Sequence, residues 1–204
     1  MKANELSDAA AWNARYAQGQ TGWDRGGAAP ALVALLTRIP HGQSALTSGR
    51  ARVLVPGAGF GHDAIAWAGA GFDVTAVDFA KLAVIGLRQW AEAAGVTLRA
   101  LEADIFELPH ELEGAFDVVW EQTCLCAIDP ARRHEYVQML ERVLVPGGTV
   151  YALLWNHQRA GGPPFDLPLA STRALFEPAF EVREATRLRD SGRAGEYLLT
   201  LQRR

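Results

Sequence analysis

A chain of 204 residues, 49% of them apolar, is long enough to bury the core of one α/β domain, and a single domain over residues 1–204 is expected. Its formal charge of −3, with 20 Lys and Arg scattered against 23 Asp and Glu, offers no basic face for phosphates and argues against nucleic acid as the main partner. No run approaches the roughly 20 apolar residues of a membrane span, and the polar, amphipathic start together with only two cysteines points to the reducing cytoplasm and to no membrane partner.

Residues 1–50 carry Trp12, Tyr16 and Trp23 amid Gly and Pro and are expected to form an N-terminal helical lid on a core spanning 51–204. From residue 52 onward, short β-rich runs alternate with helix-length segments. Strands are predicted over 52–56, 73–78, 97–102, 115–121, 149–156, 181–187 and 196–202, and helices near 62–70, 80–94, 131–144 and 169–176. Gly71, Gly95 and the Pro146-Gly147-Gly148 turn are the clearest stops. Only Asp190-Ser191-Gly192-Arg193 separates the last two strands, so these pair as an antiparallel hairpin. The expected fold is α/β: a doubly wound, mostly parallel seven-stranded sheet, Rossmann-like, with an antiparallel C-terminal hairpin. That ending resembles class I methyltransferases and not a dinucleotide-binding half-fold.

The first strand breaks into Gly57-Ala58-Gly59-Phe60-Gly61-His62 and then opens a helix. Glycines there let the backbone approach a ligand and aim N–H groups at it. A dinucleotide fingerprint needs a small residue where His62 stands, so the G-x-G-x-G spacing, through Gly57, Ala58, Gly59 and Gly61, suits the amino-acid end of a ligand. Asp78 closes the second strand, beside Phe79, where an acid accepts both hydroxyls of a ribose, although it also suits a helix cap. Asp104, Ile105 and Phe106 follow the third strand and suit an adenine, the acid reading the exocyclic amine and an apolar side chain covering the ring. Glu121 and Gln122 end the fourth strand in the ligand crevice. Cys124 and Cys126 lack companions for a metal site and read as small buried hydrophobes, so no metal is expected.

Further pieces carry a resemblance: Trp12-x-x-x-Tyr16 with Gly22-Trp23-Asp24, Val55-Pro56-Gly57-Ala58-Gly59, Asp104-Ile105-Phe106-Glu107-Leu108-Pro109, Trp120-Glu121-Gln122 leading to Ala127-Ile128-Asp129-Pro130-x-x-Arg133, and Gly161-Gly162-Pro163-Pro164-Phe165. Nearly the whole chain resembles the thiopurine and thiol S-methyltransferases, a family that includes the plant halide/thiol enzymes. The resemblance implies S-adenosylmethionine as cofactor, with Trp12 and Tyr16 closing over its methionine end and Asp78, Phe79, Asp104 and Ile105 holding ribose and adenine. Trp23 belongs to the same lid. Thiopurine-type relatives carry Arg where this chain has Gln122, which puts a preference for an anionic aromatic thiol in doubt.

The acceptor implied is a small thiol, with halide, selenium and tellurium species as neighbours in the same chemistry, and the chain is expected to be a monomer or weak homodimer. A thiol is partly ionised near neutrality, so a base is optional; the candidates are Asp24, Glu121 and His157. The segment from Arg159 to Phe165 reads as a stiff active-site loop whose Phe165 walls a pocket. Two rivals of other classes are a nicotinamide-dependent oxidoreductase and a cofactor-binding module without catalysis.

Overall fold

Runs of alternating buried residues on both sides of a strand demand cover on both faces, and a computed structural model, which describes residues 8–39, 42, 49–189 and 191–204, shows how this is met. The strands are β1 (Arg52–Pro56), β2 (Asp73–Asp78), β3 (Arg99–Glu102), β4 (Phe116–Gln122), β5 (Leu144–Trp155), β6 (Phe180–Arg187) and β7 (Glu196–Arg203). They form one sheet in the order β3-β2-β1-β4-β5-β7-β6. β1 through β5 run parallel, while β7 lies antiparallel between β5 and β6. This is the expected doubly wound sheet with a C-terminal hairpin. Because the chain leaves β1 for β2 and β3 and returns on the other side as β4, the crevice opens at the C-terminal ends of β1 and β4.

The described helices are α1 (Ala9–Ala17), α2 (Pro30–Leu36), α3 (His62–Gly69), α4 (Lys81–Ala93), α5 (Arg133–Val143) and α6 (Leu169–Phe176). Asp8 starts α1 by accepting the Ala10 N–H at 2.8 Å, and Pro30 occupies the first turn of α2, where its missing N–H costs nothing. Both lie in the segment expected to be helical. Parts of that segment (1–7, 40–41 and 43–48), and the hairpin-turn residue Asp190, lie outside the described residues.

The period-2 alternation of the strands splits the core into two. Leu54 and Val119 face a cluster containing Tyr136, Leu140, Phe176 and Phe180, from α5, α6 and β6. Val53, Val55 and Trp120 face the opposite cluster with Leu32, Leu36, Ala64 and Trp67, from α2 and α3. Many boundaries shift by one or two residues from expectation, and the starts of β5 and α5 show why. Pro146-Gly147-Gly148 does not precede β5 but lies within it. Phe116 pairs with Leu144, and pairing resumes at Val118 and Thr149, so the triplet is accommodated as an irregularity, with Gly147 at a φ of 77°. Helix α5 begins at Arg133, after a 3₁₀ turn over Pro130–Arg132 that Asp129 caps by accepting the Ala131 N–H.

Candidate active site

The turn after β1 places Gly57 and Gly59 at φ values of 58° and 57°, the left-handed region that glycine enters without strain. A Cβ on Gly57 would stand 2.8 Å from the Cys124 Sγ, so the next element of the crevice leaves no room for a side chain there. Asp78 is buried at the end of β2 and fixes the turn: its Oδ2 accepts the Gly59 N–H and its Oδ1 the Ala80 N–H, both at 2.9 Å. Burial pushes its carboxyl pKa up against these hydrogen bonds. Helix capping and ligand binding are compatible at this position, because each carboxylate oxygen has a further lone pair and Asp78 lines the main cavity.

That cavity has a volume of about 560 Å³, within the range of roughly 300–1,000 Å³ typical of small-molecule sites. It brings together Trp12, Tyr16, Trp23, Gly57, Asp78, Phe79, Asp104, Ile105, Phe106 and Gln122. The N-terminal segment and the glycine turn interlock through aromatic edges: Trp12 and Tyr16 meet Trp23 at 5.4 and 5.5 Å between centroids, and Tyr16 meets Phe60 at 5.1 Å. Asp104 caps its own turn by accepting the Phe106 N–H at 2.9 Å, and the Arg132 guanidinium sits 3.6 Å from the Phe106 centroid.

Six expected residues stand outside the main cavity. Ala58, Gly59 and Gly61 line a smaller one of about 60 Å³ behind the turn. Their N–H groups do not aim at a ligand: they donate to Val77 O, Asp78 Oδ2 and Ala58 O respectively. Asp24 borders the smaller cavity, where its Oδ1 lies 3.1 Å from His62 Nε2 and accepts the Gly26 N–H. Glu121 is wholly buried beneath the site, accepting hydrogen bonds from the Tyr136 hydroxyl and the Leu125 N–H. Burial lifts its pKa from 4.5 to about 7. Strand alternation explains the placement, since Gln122, one residue on, takes the cavity side. His157 neither faces the crevice nor is solvated. Its side chain is 5% exposed and packs on Trp155 at 4.7 Å, with Nδ1 accepting the Arg159 N–H.

The expected loop contributes Arg159, Pro163 and Pro164 to the wall. Phe165 instead packs over Gly162 and beside Arg133. Both cysteines line the cavity as free thiols. Burial raises the Cys126 pKa to about 12 and that of Cys124 well above its usual value, so neither supplies a thiolate. No cluster of metal-ligating side chains occurs among the described residues.

Sequence reasoning passed over several wall residues. Thr123 has a φ of 62°, an uncommon conformation for a residue other than glycine and one that marks the crevice turn after β4. Leu153, Trp155, Arg193 and Glu196 also line the cavity. Trp155 lies near the end of one predicted strand and Glu196 opens another, and only the β5–β7 pairing shows that they are opposed.

A doubly wound sheet with this terminal hairpin, an acid at the end of β2 and an aromatic-lined cavity at the switch point define a class I S-adenosylmethionine-dependent methyltransferase. The thiopurine S-methyltransferase family profile matches residues 7–195, and the chain belongs to that family. Thiocyanate methyltransferase 1 of Brassica oleracea is 31% identical over 183 residues, covering 85% of this chain and 74% of that protein. Probable thiol methyltransferase 2 of Arabidopsis thaliana is 28% identical over 171 residues, covering 82% and 71%. Among solved structures, 1,6-didemethyltoxoflavin-N1-methyltransferase of Burkholderia thailandensis superposes with a TM-score of 0.73 at 22% identity, covering 96% and 86% of the two chains. The chain is therefore an enzyme that uses S-adenosylmethionine, and the donor set fits that molecule: a buried acid for hydroxyls, apolar cover for a base, and aromatic faces for a sulfonium. No helix among the described residues is long and apolar enough to cross a membrane.

Proposed function

We propose that the enzyme methylates the sulfur of a small thiol. The observation that carries this reading is the part of the cavity walled by Leu153, Trp155, Pro163, Pro164 and Leu167, with Arg159, Arg193 and Glu196 among them, a largely apolar wall suited to a small organic acceptor. The names of the plant relatives, which concern thiol and thiocyanate, support sulfur as the nucleophile. Halide, selenium and tellurium acceptors belong to the same chemistry.

S-adenosylmethionine supplies a methyl group on a cationic sulfur. In this reading Asp78 accepts the ribose hydroxyls, Phe79, Asp104, Ile105 and Phe106 hold the adenine, Gly57 and Gln122 border the amino-acid end, and Trp12, Tyr16 and Trp23 close over it as a lid. Charge is neutralised as the new bond forms, so a water-poor enclosure that aligns the reactants favours the step. The lid and core act as one domain, as a monomer or weak homodimer. Two free cysteines, and an acceptor thiol that must stay reduced, support a cytoplasmic setting.

The test is transfer of isotope-labelled methyl to matched acceptors, thiophenol and phenol. Label on thiophenol with phenol untouched is expected; equal labelling of both, or label on phenol alone, contradicts a sulfur-directed site.

A further inference from the structure

We propose that Glu196 is the catalytic base that receives the proton of the acceptor thiol, a role that rests on the thiol reading above. β5 and β7 are antiparallel, and Trp155 and Glu196 stand directly opposite, so their side chains share one face of the sheet. Both line the cavity. The Glu196 side chain is 3% exposed, and its Oε1 lies 3.5 Å from Arg25 Nη1. Arg25 is itself held by Ser191 O, which accepts its Nη2–H at 2.8 Å. The other oxygen, Oε2, is buried and has no hydrogen-bond partner among the described residues. A buried carboxylate oxygen is costly to leave unmet, and Glu196 borders the cavity, so a donor group bound there is positioned to compensate it.

Among the other acids in the wall, Asp78 accepts backbone N–H groups on both oxygens and Asp104 and Asp129 on one each, whereas Glu196 is met by the Arg25 guanidinium. Arg25 balances the charge of Glu196 from one side, and Arg193 lines the wall beside it. A carboxylate is a weaker base than a thiolate, so the S–H bond stays intact in the resting complex. As the acceptor sulfur forms its bond to the methyl carbon, its proton becomes strongly acidic and passes to the Glu196 carboxylate. The carbon–sulfonium bond breaks in the same step and its electron pair neutralises that sulfur. The products are a methyl thioether, S-adenosylhomocysteine and a protonated Glu196, which returns its proton to water when product leaves.

The experiment compares an alkyl thiol with thiocyanate, which has no proton to lose. Glu196→Gln should lower kcat/KM for the thiol by about 100-fold, in the range of general-base contributions, while the loss with thiocyanate stays below about 10-fold. Calorimetry with S-adenosylhomocysteine should show cofactor affinity retained. Equal losses for the two acceptors, or no loss with the thiol, overturn the assignment of Glu196. A wild type that methylates thiocyanate but no thiol overturns the thiol reading, and this inference with it. Should Glu196→Gln fail to fold, the wild type gives the answer: a normal solvent deuterium isotope effect on the thiol reaction, absent with thiocyanate, supports proton transfer in the transition state. An inverse or absent effect indicates prior ionisation and overturns it.

Discussion

Replacing Glu121 by glutamine should change how stability depends on pH. Complete burial raises the Glu121 pKa from 4.5 to about 7, in spite of hydrogen bonds from Tyr136 and Leu125 that favour the charged form. The folded chain thus holds this proton more tightly than the unfolded chain does. Between pH 4.5 and about 7 the native state binds more protons, and stability falls as pH rises through that window. The interval from 4.5 to about 7, at about 1.4 kcal/mol per tenfold change in proton affinity, corresponds to about 3 kcal/mol. The amide of Glu121→Gln cannot ionise, so the variant loses this dependence. Burial also raises Asp63 and Asp78, but these persist in both proteins, so the difference between them isolates Glu121. Urea unfolding at a series of pH values from about 4 to 8 should show the variant gaining about 3 kcal/mol on the wild type across the range. A difference that stays constant with pH would refute the reasoning.

Three further outcomes follow from the site. Asp78→Asn turns one carboxylate oxygen into a donor facing the Gly59 or Ala80 N–H, and should weaken S-adenosylmethionine binding by about tenfold or more, read by calorimetry. Trp12→Ala and Trp23→Ala remove members of the aromatic lid and should each weaken cofactor binding by about fivefold, near 1 kcal/mol for a cation–π face; unchanged affinity speaks against a lid that closes over the cofactor. Cys124 and Cys126, buried and held protonated, should resist iodoacetamide in the native enzyme near pH 8 and react fully in urea, as mass spectrometry would show.

Sheet and hairpin were legible because they rest on local signals. β1 and β2 are apolar runs closed by Gly57 and Asp78, and α6 has the expected limits. The glycine turn was legible as spacing, since Gly57, Gly59 and Gly61 all adopt positive φ. Which way its N–H groups turn was not, because that is decided by Asp78 and Val77 on the neighbouring strand. Glu121 was legible as an acid at a strand end, but its burial was not, because its partner Tyr136 lies on α5, outside the local sequence. His157 likewise is positioned by tertiary contacts, its N–H donating to Asp166 and its ring lying on Trp155. Glu196 was invisible for the same reason, since its significance arises from Trp155 across the sheet and Arg25 in the N-terminal segment.

The most direct test of the account is a calorimetric titration with S-adenosylmethionine, followed in the same preparation by S-adenosylhomocysteine release against a panel of thiols, hydrogen selenide, tellurite and iodide. Micromolar binding with turnover on a thiol is the predicted result. An enzyme that binds no S-adenosylmethionine, or binds it and turns over none of these acceptors, would contradict the central claim.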